Sequence, residues 1–239
     1  MLQAALFPTL KTKFKDILDT NKLHNSYVQV SMSGVREGQV AGDINAPETL
    51  LVADFEGASG ECSTSFPSTF KGSLAEVLEF DIENDEQKRG IFIAVLNAVM
   101  NKELLADNCS SCYEDDREHC AQRAVDHYYR TCGKVKTLLI GYQPYLAEAL
   151  AKNFTLRILD LDAQHVGKTY HGVTVEHGID DYNDAAWWAD VILCTGSTLS
   201  NNTIVPIMNL PKDVRFYGTT IAGCARILGL TRLCPFSEN

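Results

Sequence analysis

The chain of 239 residues is short of positive charge. It has 21 lysines and arginines against 31 aspartates and glutamates, a formal net charge of −10. Nucleic-acid binding needs basic patches, so that class of partner is excluded. The deficit is uneven: residues 1–132 hold 21 acidic and 12 basic side chains, and residues 133–239 hold 10 and 9. No apolar run reaches the ~20 residues of a membrane span. In MLQAALFPTLKTKFKDILDT the charges follow the apolar stretch, the reverse of a signal peptide. The expectation is a cytoplasmic protein without a membrane partner, its eight cysteines mostly reduced. The motifs GxxxxGK[ST], HExxH, GxSxG and GxGxxG are all missing. No nucleophile–base pair can be named, so catalytic residues are unassigned and an enzyme is neither implied nor excluded.

What is present divides in two near residues 131–134. Up to residue 132 the pattern is α+β. Pro8 opens a helix with Leu10, Phe14, Ile17 and Leu18 on one face. Strands are expected at 26–34 and 50–57, and a Gly/Ser/Thr-rich loop at 57–73. Ser73 and Glu76 form a capping box. The segment 84–105 is a helix apolar nearly all round, and therefore buried, with Asn97 interrupting it as a core amide or a site residue. A further helix covers 118–130, with Ala121, Ala124, Val125 and Tyr128 as its apolar stripe.

From residue 133 to 239, strands alternate with helices, which predicts a Rossmann-like parallel sheet covered on both faces. The last strand is expected at RLCPF. Trp187 and Trp188 fit the sheet or a subunit contact, so a homo-oligomer is possible.

In such a sheet ligands sit where strands end and helices begin. Three loops qualify. Gly141-Tyr142-Gln143-Pro144 departs from the dinucleotide fingerprint, though Asp160 lies where a ribose-binding acid would; NAD is disfavoured. CTGSTLSNNT carries Thr195, Gly196, Ser197, Thr198, Asn201 and Thr203 to a helix start, a natural anion site. YGTTIAG adds Gly218 and Thr220, pointing to one shared crevice for a small anionic ligand or a metal.

Residues 107–120 read DNCSSCYEDDREHC. Cys109 and Cys112 with Cys120 or His119 make a feasible set for zinc or a heavier soft ion. Cys120 and His127, ~10 Å apart along a helix, cannot share one ion. Reduced thiols without a shared role and a redox switch stay open beside the metal.

Taken together, GIFIAVLNAVMNK (90–102), SCYEDDREHCAQ (111–122), LLIGYQPYLAEAL (138–150), ILDLD (158–162), CTGSTLSNNTI (194–204) and YGTTIAGCARILGLTRLCPF (217–236) resemble the putative heavy-metal chelation family. The resemblance implies a small enolase N-terminal-like domain before a Rossmann-like one. It also implies a site between them at Asn97, Asp160, Thr195, Gly196, Thr198, Asn201, Thr203, Gly218 and Thr220. Cys112 and Cys120 match the family's cysteine pair, and Cys109 is an addition. The leading expectation is metal handling, by binding a metal or a metal-chelating molecule. An enzyme acting on a nucleotide-type or anionic metabolite, and a ligand-binding accessory protein without catalysis, are the alternatives.

Overall fold

The computed structural model describes residues 6–33, 44, 48–111 and 117–234. Helix α1 (Leu6–Asn21) has Pro8 in its first turn, where a missing N–H breaks no helical bond. It buries Leu10, Phe14 and Leu18; Ile17 packs beside them. Strands β1 (Tyr27–Ser33) and β2 (Thr49–Phe55) pair antiparallel. Then comes a correction: most of the expected loop at 57–73 is strand. Glu56 and Gly57 both take positive φ, 49° and 81°, the tight turn whose twist suits a hairpin. β3 (Ala58–Thr64) returns along β2, and β4 (Phe70–Ser73) pairs with β1. The order is β3-β2-β1-β4.

Small residues in β3 have a packing cause. A Cβ on Gly60 would stand 2.0 Å from the Ala98 backbone nitrogen. Only glycine lets the next long helix lie that close. Before that helix, the Ser73–Glu76 capping box opens α2 (Leu74–Leu78) as expected.

Helix α3 (Glu86–Lys102) starts at the Asp85 cap and buries every residue from Arg89 to Met100. One side meets β2 and β3; the other meets two short helices of the second half, α7 (Ser197–Ser200) and α9 (Ala222–Leu228). An all-round apolar helix is buried because it lies between two layers. Arg89, 1% exposed, donates Nε to the Ile82 carbonyl at 2.8 Å, one terminal nitrogen to Ser200 at 3.1 Å and the other to Glu83 at 2.8 Å.

The second sheet has the order β10-β9-β5-β6-β8-β7. Its parallel members are β5 (Lys136–Ile140), β6 (Thr155–Asp160), β8 (Val173–His177), β9 (Val191–Thr195) and β10 (Asp213–Tyr217). A two-residue antiparallel strand, β7 (Thr169–Tyr170), adds an unexpected edge. Leu139, Ile158 and Leu193 point into one core; Leu138, Leu159, Ile192 and Cys194 point into the other. This period-2 alternation, apolar on both sides, is that of a sheet covered twice. α4 (Arg117–Cys132) and α5 (Pro144–Asn153) cover the first face; α3, α6 (Tyr182–Trp188) and α9 contribute to the second. α4 precedes residue 133 yet packs on α5, and the Tyr128 hydroxyl lies 3.0 Å from that of Thr137 on β5. Helix α8 (Ile204–Met208) follows α7. The strand expected at RLCPF is reduced, among the described residues, to one bridge between Arg232 and Phe216. No helix among them is long and apolar enough to cross a membrane.

Candidate functional site

β5 lies between β6 and β9, and its crossover goes to β6 while β9 leads away to β10. Loops leaving in opposite directions part the backbone at the carboxyl ends of β5 and β9, which opens a crevice. A cavity of about 860 Å³ occupies it. Gly141, at φ +88°, and Gly196 keep it open and tight at once. A Cβ on Gly141 would stand 2.6 Å from Thr195 Cγ2, and one on Gly196 2.7 Å from the Ile221 nitrogen. Tyr217 ties this end of the sheet together: its hydroxyl donates to the Gly141 carbonyl at 2.5 Å. Burial holds that phenol well above its usual range.

The opposite wall comes from the first half. Glu48, just before β2, presents surface to the cavity while protein atoms surround its carboxylate. It accepts from Ser197 Oγ at 2.7 Å and from Asn201 Nδ2 at 3.2 Å. The hydroxyl and amide that the sequence offers to an anion thus hold the protein's own carboxylate. Burial raises the Glu48 pKa; the Ser197 and Asn201 bonds oppose the rise, and the nearby Asp160 and Asp162 carboxylates add to it.

Asp160 is mostly occupied by its own loop. One oxygen accepts from the Leu161 and Asp162 backbone at 2.7 and 3.0 Å. The other meets the Tyr142 amide at 3.0 Å and His165 Nδ1 at 2.9 Å. The Tyr142 ring stacks on Tyr170, centroids 4.5 Å apart, and meets the His165 ring edge-on at 4.9 Å. Tyr142 and His165 line the cavity.

Gly141, Asp160, Thr195, Gly196, Ser197, Thr198, Asn201, Thr203, Gly218 and Thr220 all line this one cavity. Pro144 does not; it is the first residue of α5, behind the Gln143 cap. Asn97 is fully buried and also lies outside the lining. Its Nδ2 donates to the carbonyls of Glu61, Thr219 and Thr220 at 2.8, 3.1 and 3.1 Å, and its Oδ1 accepts from Gly223 at 2.8 Å. It joins α3, β3 and the loop after β10. Thr220 both lines the cavity and accepts from the Ser63 amide at 2.9 Å.

Cys120, on α4, lines the cavity, and so does Cys234. Cys109 is buried away from it, its thiol pushed up to about 12 by burial. His119 is exposed and is not part of the lining. Cys112 lies outside the described residues. Among the described residues no three of His, Cys, Asp and Glu are grouped to hold a metal ion.

Sequence reasoning missed Glu48, His165, Tyr182 and Cys234 as lining residues. Glu48 has no local signal, since its partner Ser197 is 149 positions away. His165 could have been found from Asp160, five residues earlier on the same loop.

Residues 123–224 match the model of a family described as putative heavy-metal chelation, DUF364. Two solved structures are similar, both of unknown function and from the DUF364 family. One, from Pyrococcus horikoshii, is 16% identical with a TM-score of 0.56; the likeness covers 90% of this chain and 79% of that one. The other, from Desulfitobacterium hafniense, is 12% identical with a TM-score of 0.48, over 91% and 84%. No curated protein matches. At these identities the first likeness speaks for the fold. The family matched over residues 123–224 is therefore the one the sequence resembles, DUF364, described as putative heavy-metal chelation.

Proposed function

We propose that the crevice binds a small organic molecule able to chelate a metal ion, and that the protein handles the metal as that complex. The observation that carries this reading is the mismatch between the cavity and a bare ion. About 860 Å³ is metabolite-sized. An ion needs four or more close ligands, and no group of three suitable side chains is assembled among the described residues. A metal that arrives with its own donors needs fewer from the protein. Cys120, Cys234 and Glu48 are all on the cavity lining. The family description agrees in kind. The doubly covered parallel sheet supports the name Rossmann-like for the second half, and the cytoplasm is the working location.

Calorimetry tests this with zinc, cobalt and nickel, each added as the free ion and as its preformed complex with histidine or citrate. Tighter uptake of a complex than of its free ion is expected, weakened in Cys120→Ser. Equal or tighter binding of the free ions would replace the reading with a plain ion site. No uptake of either form would end the metal reading.

A further inference from the structure

Among the described residues, His165 is the one histidine on the crevice lining. Its two ring nitrogens stand in different surroundings. Nδ1 lies 2.9 Å from the Asp160 carboxylate, and the Asp162 carboxylate is 3.8 Å away. An ionised carboxylate can only accept, so Nδ1 donates its hydrogen and Nε2 carries the lone pair of the neutral ring. Nε2 has no hydrogen-bond partner among the described residues. It is not enclosed either, and the side chain keeps 29% of its surface open.

The ring is nevertheless held in place. Tyr142 meets it edge-on at 4.9 Å and Tyr170 at 6.3 Å, and the two tyrosines stack on each other. Asp160 is itself fixed by the amides of Tyr142, Leu161 and Asp162. Ordering a half-open side chain costs conformational entropy. Here that order ends on a nitrogen that no described group of the chain uses. His177 gives the contrast. Its Nδ1 also has a carboxylate nearby, Asp180 at 3.2 Å, but it accepts from the Asp180 amide and the residue is not on the lining.

A carboxylate on one imidazole nitrogen and a free second nitrogen is how proteins orient a histidine towards a metal and raise its basicity. A general base is built alike. The metal is favoured because the ligand proposed for this crevice brings one. No three of His, Cys, Asp and Glu are grouped among the described residues, so the chain offers single donors rather than a cage. Zinc takes four ligands, and a chelator with three donor arms leaves one position for the protein.

We infer that His165 Nε2 is the protein's own ligand to the metal of the bound complex. This deepens the proposed function and rests on it.

The experiment adds one equivalent of copper(II) citrate, with citrate in excess, to the full chain. Citrate has only oxygen donors, so any nitrogen on the copper comes from the protein. Electron spin-echo envelope modulation reads the remote nitrogen of a coordinated imidazole, and calorimetry with zinc citrate reads affinity. Imidazole modulation is expected in the wild type and in His177→Gln. It is expected to vanish in His165→Gln and in His165→Phe, with zinc citrate bound at least tenfold more weakly by both. His165→Gln keeps an N–H for Asp160 and His165→Phe keeps a ring against Tyr142, and circular dichroism checks that each is folded. A complex that binds without imidazole modulation, or with modulation that persists in both His165 variants, overturns the inference and leaves the proposed function standing. Uptake of no complex overturns both. Zinc chloride bound through His165 as tightly as zinc citrate also overturns both, in favour of a plain ion site.

Discussion

The Arg89 guanidinium reaches from α3 to the Ser200 carbonyl at 3.1 Å, and its other two bonds are to backbone carbonyls as well. A buried arginine satisfied by carbonyls acts as a peg, here between the first half and α7, whose Ser197 and Thr198 line the crevice. Burial lowers its pKa, and the acids that raise it again are Glu86, Asp85 and Asp81. Arg89→Met leaves three carbonyls without donors, and a loss of about 3 kcal/mol follows at about 1 kcal/mol each. Arg89→Lys, which cannot reproduce the planar fork, falls between. Urea denaturation of the three proteins checks the order; equal midpoints would show that the peg is dispensable.

The cysteines divide by burial. Cys109 and Cys194 are pushed up to about 12, and Cys62 and Cys224 also stand above the ordinary thiol range, all with burial as the first cause. Thiolate is the reactive form, so these four are inert in the folded protein. Iodoacetamide at pH 8, followed by mass spectrometry, should leave all four unmodified until denaturant is added. Cys132, partly exposed, lies 2.8 Å from an Arg215 nitrogen and should be labelled under native conditions. Rapid native labelling of Cys194 would contradict the packing of β9.

Glu48 makes stability depend on pH with an unusual sign. Its folded pKa is raised, so the folded state holds the proton more tightly than the unfolded chain. Its contribution is present below the ordinary glutamate range and is lost as pH rises through the raised folded value. The groups facing it are Asp160 and Asp162, with His165 beside them. Wild type minus Glu48→Gln, measured by urea denaturation between pH 4 and 8, isolates that contribution. The difference should fall as pH rises.

Much of the architecture is legible in the sequence, since it follows from periodicity. Leu138 to Ile140, Leu193 and Cys194 alternate between two cores, and the all-round apolar run in α3 marks a helix between layers. The Ser73–Glu76 box and Pro144 at the start of α5 are local and read correctly. The segment 57–73 does not, because its glycines and serines look like loop composition. Gly60 is small so that Ala98 can approach, and that requirement is set by a helix nearly forty residues later. The polar loops of the crevice are legible as a group. Their electrostatic sense is not: Ser197 and Asn201 suggest an anion site until Glu48 is seen between them.

The bonds that close the crevice also bear on when it forms. Glu48 meets Ser197 across 149 positions, Asn201 across 153, and Ser63 meets Thr220 across 157. Contacts of such sequence separation carry the greatest loop-closure cost and form slowly. The hairpin of β2 and β3 and the β5-α5-β6 unit can be assembled from neighbours, but the crevice must wait for both layers to meet across α3. Its ligand therefore recognises the finished chain rather than any part-folded one, and a mutation that slows docking of the layers would be felt in the binding site before it is felt in either sheet.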